Sequence, residues 1–149
     1  MMINAGFHEV PGADIAGILD EAARQGVPVF TLSTAGLTDK EAFFEAVREA
    51  LPLDPPLGPH MVWDALSDSV GGGLHELKSP RVVIVWPDAR PVAGAEGDFW
   101  IALEILREVV ATLAEDRYTG GRPTQVSVYV APTHSSRPKG SVRTWTFMP

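Results

Sequence analysis

The chain has 149 residues, enough to bury a hydrophobic core without covalent staples. Its 45% apolar content and absence of cysteine exclude a disordered polymer, disulfides, thiolate zinc sites and a cysteine nucleophile. Twelve basic against 19 acidic residues give a net charge of −7, a surface that repels nucleic acid and attracts basic proteins.

Residues 1–11 carry no clear period. From Ala13 to Gln25 the apolar positions Ile15, Ile18, Leu19, Ala22 and Ala23 keep helical spacing, and Gly26 is the expected stop. Val27 to Leu32 (VPVFTL) is a short β-branched and apolar run that predicts a strand. Thr38-Asp39-Lys40-Glu41 fits a T-x-x-E capping box. The helix it opens runs to about Leu51 and faces Phe43, Phe44, Val47, Ala50 and Leu51 inward. A loop with Pro52, Pro55, Pro56 and Pro59 follows, which cannot be helical throughout.

Trp63-Asp64-Ala65-Leu66-Ser67-Asp68 then predicts a short helix. Trp63, Leu66 and Val70 form its apolar stripe, and Gly71-Gly72-Gly73 is the expected stop. Val82 to Trp86 (VVIVW) shows no polar alternation and predicts a strand buried on both faces, ended by Pro87. Residues 87–97 predict a loop. Asp98 is the expected N-cap of a long helix reaching about Asp116, with Phe99, Ala102, Leu103, Leu106, Val109, Val110 and Leu113 inward and Glu104, Glu108 and Glu115 outward. Gly120-Gly121 breaks the chain before a last strand, Gln125 to Val130. From Ala131 the chain turns rich in Pro, Ser, Gly and Arg, although Val142, Trp145 and Phe147 could dock or add an edge strand.

Strands separated by helices favour parallel pairing through right-handed crossovers. The expectation is an α/β fold: one domain over 1–149, with a small three-stranded parallel sheet flanked by helices. Its core spans about 27–130, preceded by an extra helix at about 13–25 and followed by an extension at 131–149. No apolar run reaches membrane-span length, and Met1-Met2-Ile3-Asn4 lacks the basic and long apolar regions of a secretion signal, so a cytoplasmic location is expected.

The residues with chemistry centre on Asp64 and Asp68. Four apart on a helix, they stand one above the other, about 5–6 Å apart at Cβ, and display a doubled negative charge. An ordinary solvated helix face is the bland alternative. The four histidines, His8, His60, His75 and His134, make no H-x-x-x-H or H-E-x-x-H pattern, so no metal is expected. His60 stands four residues before Asp64 and could cap or pair with it. Ser67 has no base placed beside it by spacing. The glycine run lacks the Lys-Ser/Thr of a phosphate loop. Trp63 and Trp86 are expected in the core, and Trp100 partly exposed. A small hydrolase using Asp64, Asp68 and His60 would need those groups to converge in a concave pocket.

This layout resembles the barstar family, intracellular protein inhibitors of secreted guanyl-specific ribonucleases. The Asp64-Ala65-Leu66-Ser67-Asp68 run is similar to the family's D-A-L-x-D segment on its inhibitory helix. Gly58 stands where the family has a glycine in the preceding loop. The helix with Phe43 and Phe44, the strand ending in Trp86 and Leu106-Arg107-Glu108 fit in order and spacing. The resemblance covers roughly residues 27–130. It implies a binding protein rather than an enzyme, needing no metal and no cofactor, whose helix and loop plug a basic nuclease's active site as a monomer. Asp68 would be the main anchor, mimicking a substrate phosphate. Asp64 would meet the cleft rim and Glu108 a basic residue at its edge, with Leu57, Gly58, His60 and Ser67 completing the contact. Pro56 and Leu57 depart from the family's loop aromatics, Val62 replaces its asparagine, and the spacing from Gly58 to Asp64 is longer. The alternative is an immunity or adaptor domain of the same fold that binds a different basic toxin or protein partner.

Overall fold

The structure, a computed structural model, describes residues 3–132. In chain order the elements are β1 (Gly6–Glu9), a single 3₁₀ turn (Gly12–Asp14), α1 (Ile15–Gln25), β2 (Val29–Thr31), α2 (Lys40–Ala50), α3 (Trp63–Glu76), β3 (Arg81–Ala89), α4 (Glu96–Leu113), α5 (Asp116–Thr119) and β4 (Gln125–Pro132). The sheet has four strands in the order β1-β4-β3-β2, every neighbouring pair parallel. It corrects the expected three. The fourth, β1, lies in the stretch without period, because a four-residue edge strand that opens on glycine and half-buries both Phe7 and His8 shows no alternation to read.

The unbroken apolar run of β3 is explained by cover on both faces. Val82, Ile84 and Trp86 point one way with Val126, Val128 and Val130 of β4, into a core shared with α2, α3 and α4. Val83, Val85, Tyr129 and Ala131 point the other way, onto Ile15, Ile18 and Ala22 of α1. Trp86 is fully buried, and its indole N–H donates to Thr34 Oγ1 at 3.3 Å, so the one polar group it carries inward is satisfied. β3 runs past Pro87 to Ala89 because the register shifts between Trp86 and Ala89, and an irregularity tolerates the missing N–H. No described helix is long and apolar enough to cross a membrane.

Three local expectations are corrected. The capping box does not form. Thr38 is buried and shares a 2.9 Å hydrogen bond with Thr34 Oγ1, while Asp39 caps α2 by accepting from the Ala42 N–H at 2.8 Å. Asp98 does not cap its own helix, which starts two residues earlier after Ala95; its Oδ2 accepts from the Lys40 N–H at 3.3 Å. Two carboxylates thus serve the first turn of α2, one from far along the chain. The long helix ends at Leu113, and Asp116 opens the separate α5.

The glycine run does not end α3, which continues to Glu76 and stops where Lys78 takes φ 57°. The proline loop after α2 passes across the helix at this point. A Cβ on Gly73 would lie 2.0 Å from the Pro52 carbonyl oxygen, and one on Gly72 2.0 Å from that of Asp54. The Asp54 N–H donates to the Ser69 carbonyl at 2.9 Å, joining loop and helix backbone to backbone. Glycine is required here for close approach, not for chain reversal. Gly71, by contrast, has nothing within 4 Å of an added Cβ. Gly73→Ala is therefore expected to destabilise the fold by about 1–3 kcal/mol, as overpacking does. Gly71→Ala should stabilise it by roughly 0.5–1 kcal/mol through helix propensity. Urea unfolding of the two variants checks the opposite signs.

Candidate functional site

The exposed face of α3 is fixed by what its other face buries. Leu66, Val70 and Leu74, four apart, are buried in the larger core, and Ser69 and Gly73 sit between them under the crossing loop. Trp63 is half-buried rather than a core residue. Its ring lies 5.1 Å from Phe44 and 6.1 Å from Phe43, which in turn packs at a tilt against Trp86 at 5.3 Å. Lys40 Nζ sits 5.4 Å over the Trp63 ring. This aromatic chain pins the first turn of α3 to the sheet.

The opposite face carries Asp64, Ala65 and Asp68, all exposed. The carboxylates share one helix face, as their spacing predicts. Among the described residues no cation pairs with Asp64, Asp68 or Glu108. The three ion pairs are Arg24–Glu21, Arg48–Glu45 and Arg107–Glu104, each within one helix. Arg107, beside Glu108 in sequence, is held by Glu104 at 2.6 Å and lies 4.4 Å over the Phe7 ring of β1. Arg48 is occupied by Glu45 and by the loop. The free acids are left uncompensated while their basic neighbours are engaged.

Glu108 is brought to this face by packing between α3 and α4. Its Oε1 accepts from Ser67 Oγ at 2.9 Å, so Ser67 positions a carboxylate on the neighbouring helix. Between the two helices runs a groove of about 250 Å³, lined by Ser67, Asp68, Gly71, Gly72, His75 and Glu108 among others. It holds Asp68 but neither Asp64 nor His60, so the three groups of the hydrolase alternative do not converge in it. No group of three or more metal-ligating side chains occurs among the described residues.

The loop places its residues unevenly. Leu57 is half-buried against the core. Gly58 is exposed, a Cβ there would meet nothing within 4 Å, and its carbonyl accepts from Arg48 Nη2 at 2.9 Å. His60 is exposed and makes no hydrogen bond or ion pair with Asp64. Nor does it cap α3: Val62 holds that position, with no side-chain bond to the first turn. Sequence reasoning missed Met61 and Val62, 39% and 51% exposed, and Ile101 on α4 at 40%. Apolar residues at surface positions give no periodic signal.

No curated protein and no solved structure matches the chain. A family model does, that of Barstar (barnase inhibitor), over residues 27–127. The matched stretch runs from the start of β2 into β4 and includes α2, α3, α4 and the loop that seats on the glycines. With more than half its length matched and the acidic helix inside that match, the chain belongs to the barstar family.

Proposed function

We propose that this chain is an intracellular inhibitor that occludes the active site of a basic guanyl-specific ribonuclease, one to one, with loop 57–62 and the exposed face of α3. The observation that carries this reading is the pair Asp64 and Asp68, exposed and without a cationic partner among the described residues, on a helix anchored by the aromatic chain and the crossing loop. A cleft built to hold a phosphate diester presents Arg, Lys and His donors. A carboxylate on a rigid helix satisfies them by charge-assisted hydrogen bonds and loses little conformational freedom in doing so.

Asp68 is the central anchor in this reading, next to the groove. Asp64 meets the cleft rim one turn earlier. Glu108, oriented by Ser67, meets a basic residue at the edge. Gly58, Leu57 and His60 form the loop side of the contact, which is aliphatic where the family uses aromatics. The net charge of −7 draws a basic partner in from a distance. No metal or cofactor takes part. A second reading is supported by the loop. Leu57 is half-buried in this protein's own core, which leaves little to stack on a guanine site and suits a different basic toxin or protein partner of the same immunity type.

Inhibition of a purified guanyl-specific ribonuclease tests the first reading. Asp68→Ala should weaken inhibition by about 30-fold or more, the lower end of the 2–5 kcal/mol typical when one member of a desolvated charge pair is removed. That general range is drawn in part from the barnase–barstar complex itself. Unchanged inhibition by the variant would remove Asp68 from its assigned role.

The acids are held for binding, not for folding, and this has its own measurable consequence. Like charges at i and i+4 disfavour a helix by a few tenths of a kcal/mol. Asp64→Asn/Asp68→Asn should therefore unfold at the same or slightly higher denaturant concentration than the parent. Leu66→Ala, on the buried face, should lose about 2–5 kcal/mol. Chemical denaturation of both variants separates display from scaffold.

A further inference from the structure

The proposed contact uses acids, yet the largest exposed apolar group on the adjoining helix has no role in it. Trp100 is 54% exposed and Ile101 40% exposed, side by side in the first turns of α4. Neither is needed to complete the core: Phe99, next to them, already fills the space beside Trp86 at 5.8 Å. The one aromatic pair of Trp100 among the described residues is T-shaped, with Phe99 at 5.4 Å between ring centres. A half-exposed tryptophan beside a second apolar residue on a helix surface marks an interaction site more often than a scattered apolar residue does.

The helix geometry ties this pair to the acidic face. Ile101 and Glu108 are seven residues apart, two turns along one side of α4 and about 10 Å in axial rise. Glu108 on that side is joined to α3 through Ser67. Trp100 and Glu104 are four apart on the adjacent, outward side, and Glu104 is exposed. The surface thus alternates apolar and acidic groups: Trp100 and Ile101, then Glu104, then Glu108, continuing across to Asp68 and Asp64. Interfaces with strong affinity combine a buried aromatic anchor with a charged surround that orients the partner.

We propose that Trp100 and Ile101 are the apolar anchor of the same contact, so that the partner is a basic protein with an apolar patch beside its cationic groove. This rests on the reading above. The acids set approach and register, and the tryptophan supplies the desolvated contact that slows dissociation. The charge of the surround selects the occupant: a second copy of this chain would set Glu104 and Glu108 against like charges.

The test measures inhibition of a guanyl-specific ribonuclease by the full chain and by Trp100→Ala, Ile101→Glu and Asp68→Ala, at low and high salt, with the oligomeric state of each read by light scattering. Trp100→Ala should weaken inhibition about 30-fold or more at both salt concentrations. Ile101→Glu should weaken it although it adds a negative charge, which a purely electrostatic contact would reward. Asp68→Ala should weaken it and flatten its salt dependence. If Asp68→Ala weakens inhibition while Trp100→Ala and Ile101→Glu leave it unchanged, the apolar anchor is overturned and the inhibitor reading stands. If the parent chain does not inhibit, both fall. A parent dimer that Trp100→Ala converts to monomers without loss of inhibition assigns the patch to self-association and overturns the proposal.

Discussion

The contact on which the candidate site depends is made of backbone. Two carbonyls, of Pro52 and Asp54, press into α3 where Gly72 and Gly73 have no side chain to hold them off, and the Asp54 N–H closes the contact on Ser69. Leu53 and Leu57 pack the loop onto the core and Arg48 holds the Gly58 carbonyl, but the glycine contact is what joins the loop to α3 itself. With it, the segment before the helix is bound to the helix's own second half, and the two move as one body. A binding surface made of one helix and one loop needs this, since every degree of freedom left in it would be an entropic cost on association. The two glycines, half-buried and buried, therefore support the proposed binding surface by seating its loop.

The electrostatics follow from a division of labour among the basic residues. Arg48 and Arg107 pair with glutamates three residues away, and each also lies over an aromatic ring, as does Lys40. Each exposed pair is worth little to stability. Their combined effect is to engage Lys40, Arg48 and Arg107 elsewhere, and no described cation pairs with Asp64, Asp68 or Glu108. An acid already neutralised within its own protein would have to break that pair before meeting a partner. Acids held apart from internal cations need only shed water, and they extend an attractive field into solution that weakens as salt is added.

Much of this was legible in the sequence where periodicity is strong. The spacing of Leu66 and Val70 placed Asp64 and Asp68 on the free face of a helix, and the unbroken run VVIVW identified a strand covered on both sides. What could not be read was what depends on contacts between distant residues. Thr38 looks like a cap until the buried Thr34 claims its hydroxyl, and Asp98 looks like the start of α4 until it is seen to serve α2 from 58 positions away. The glycine run has two physical uses, chain reversal and close approach, and nothing local distinguishes them. Only the passage of Pro52 and Asp54 over the helix decides it. The exposure of Trp100 was expected, but that of Met61, Val62 and Ile101 was not, since single apolar residues at surface positions leave no periodic signal.

The N-terminal part of the chain explains how such a site stays on one side only. The family match begins at residue 27, and the segment before it supplies β1 and α1. Without that segment the sheet would carry Val83, Val85, Tyr129 and Ala131 on an open face, since α2, α3 and α4 all pack against the other. α1 lays Ile15, Ile18 and Ala22 over them, and β1 pairs along β4, with the Asn4 N–H donating to the Tyr129 hydroxyl at 2.8 Å. The addition thus gives the sheet the two-sided cover that parallel strands require. It does so from the layer opposite α3, so α1 leaves the acidic face untouched. β1 reaches the other layer through Phe7, whose ring lies 4.4 Å from the Arg107 guanidinium, so the added segment also engages the basic neighbour of Glu108.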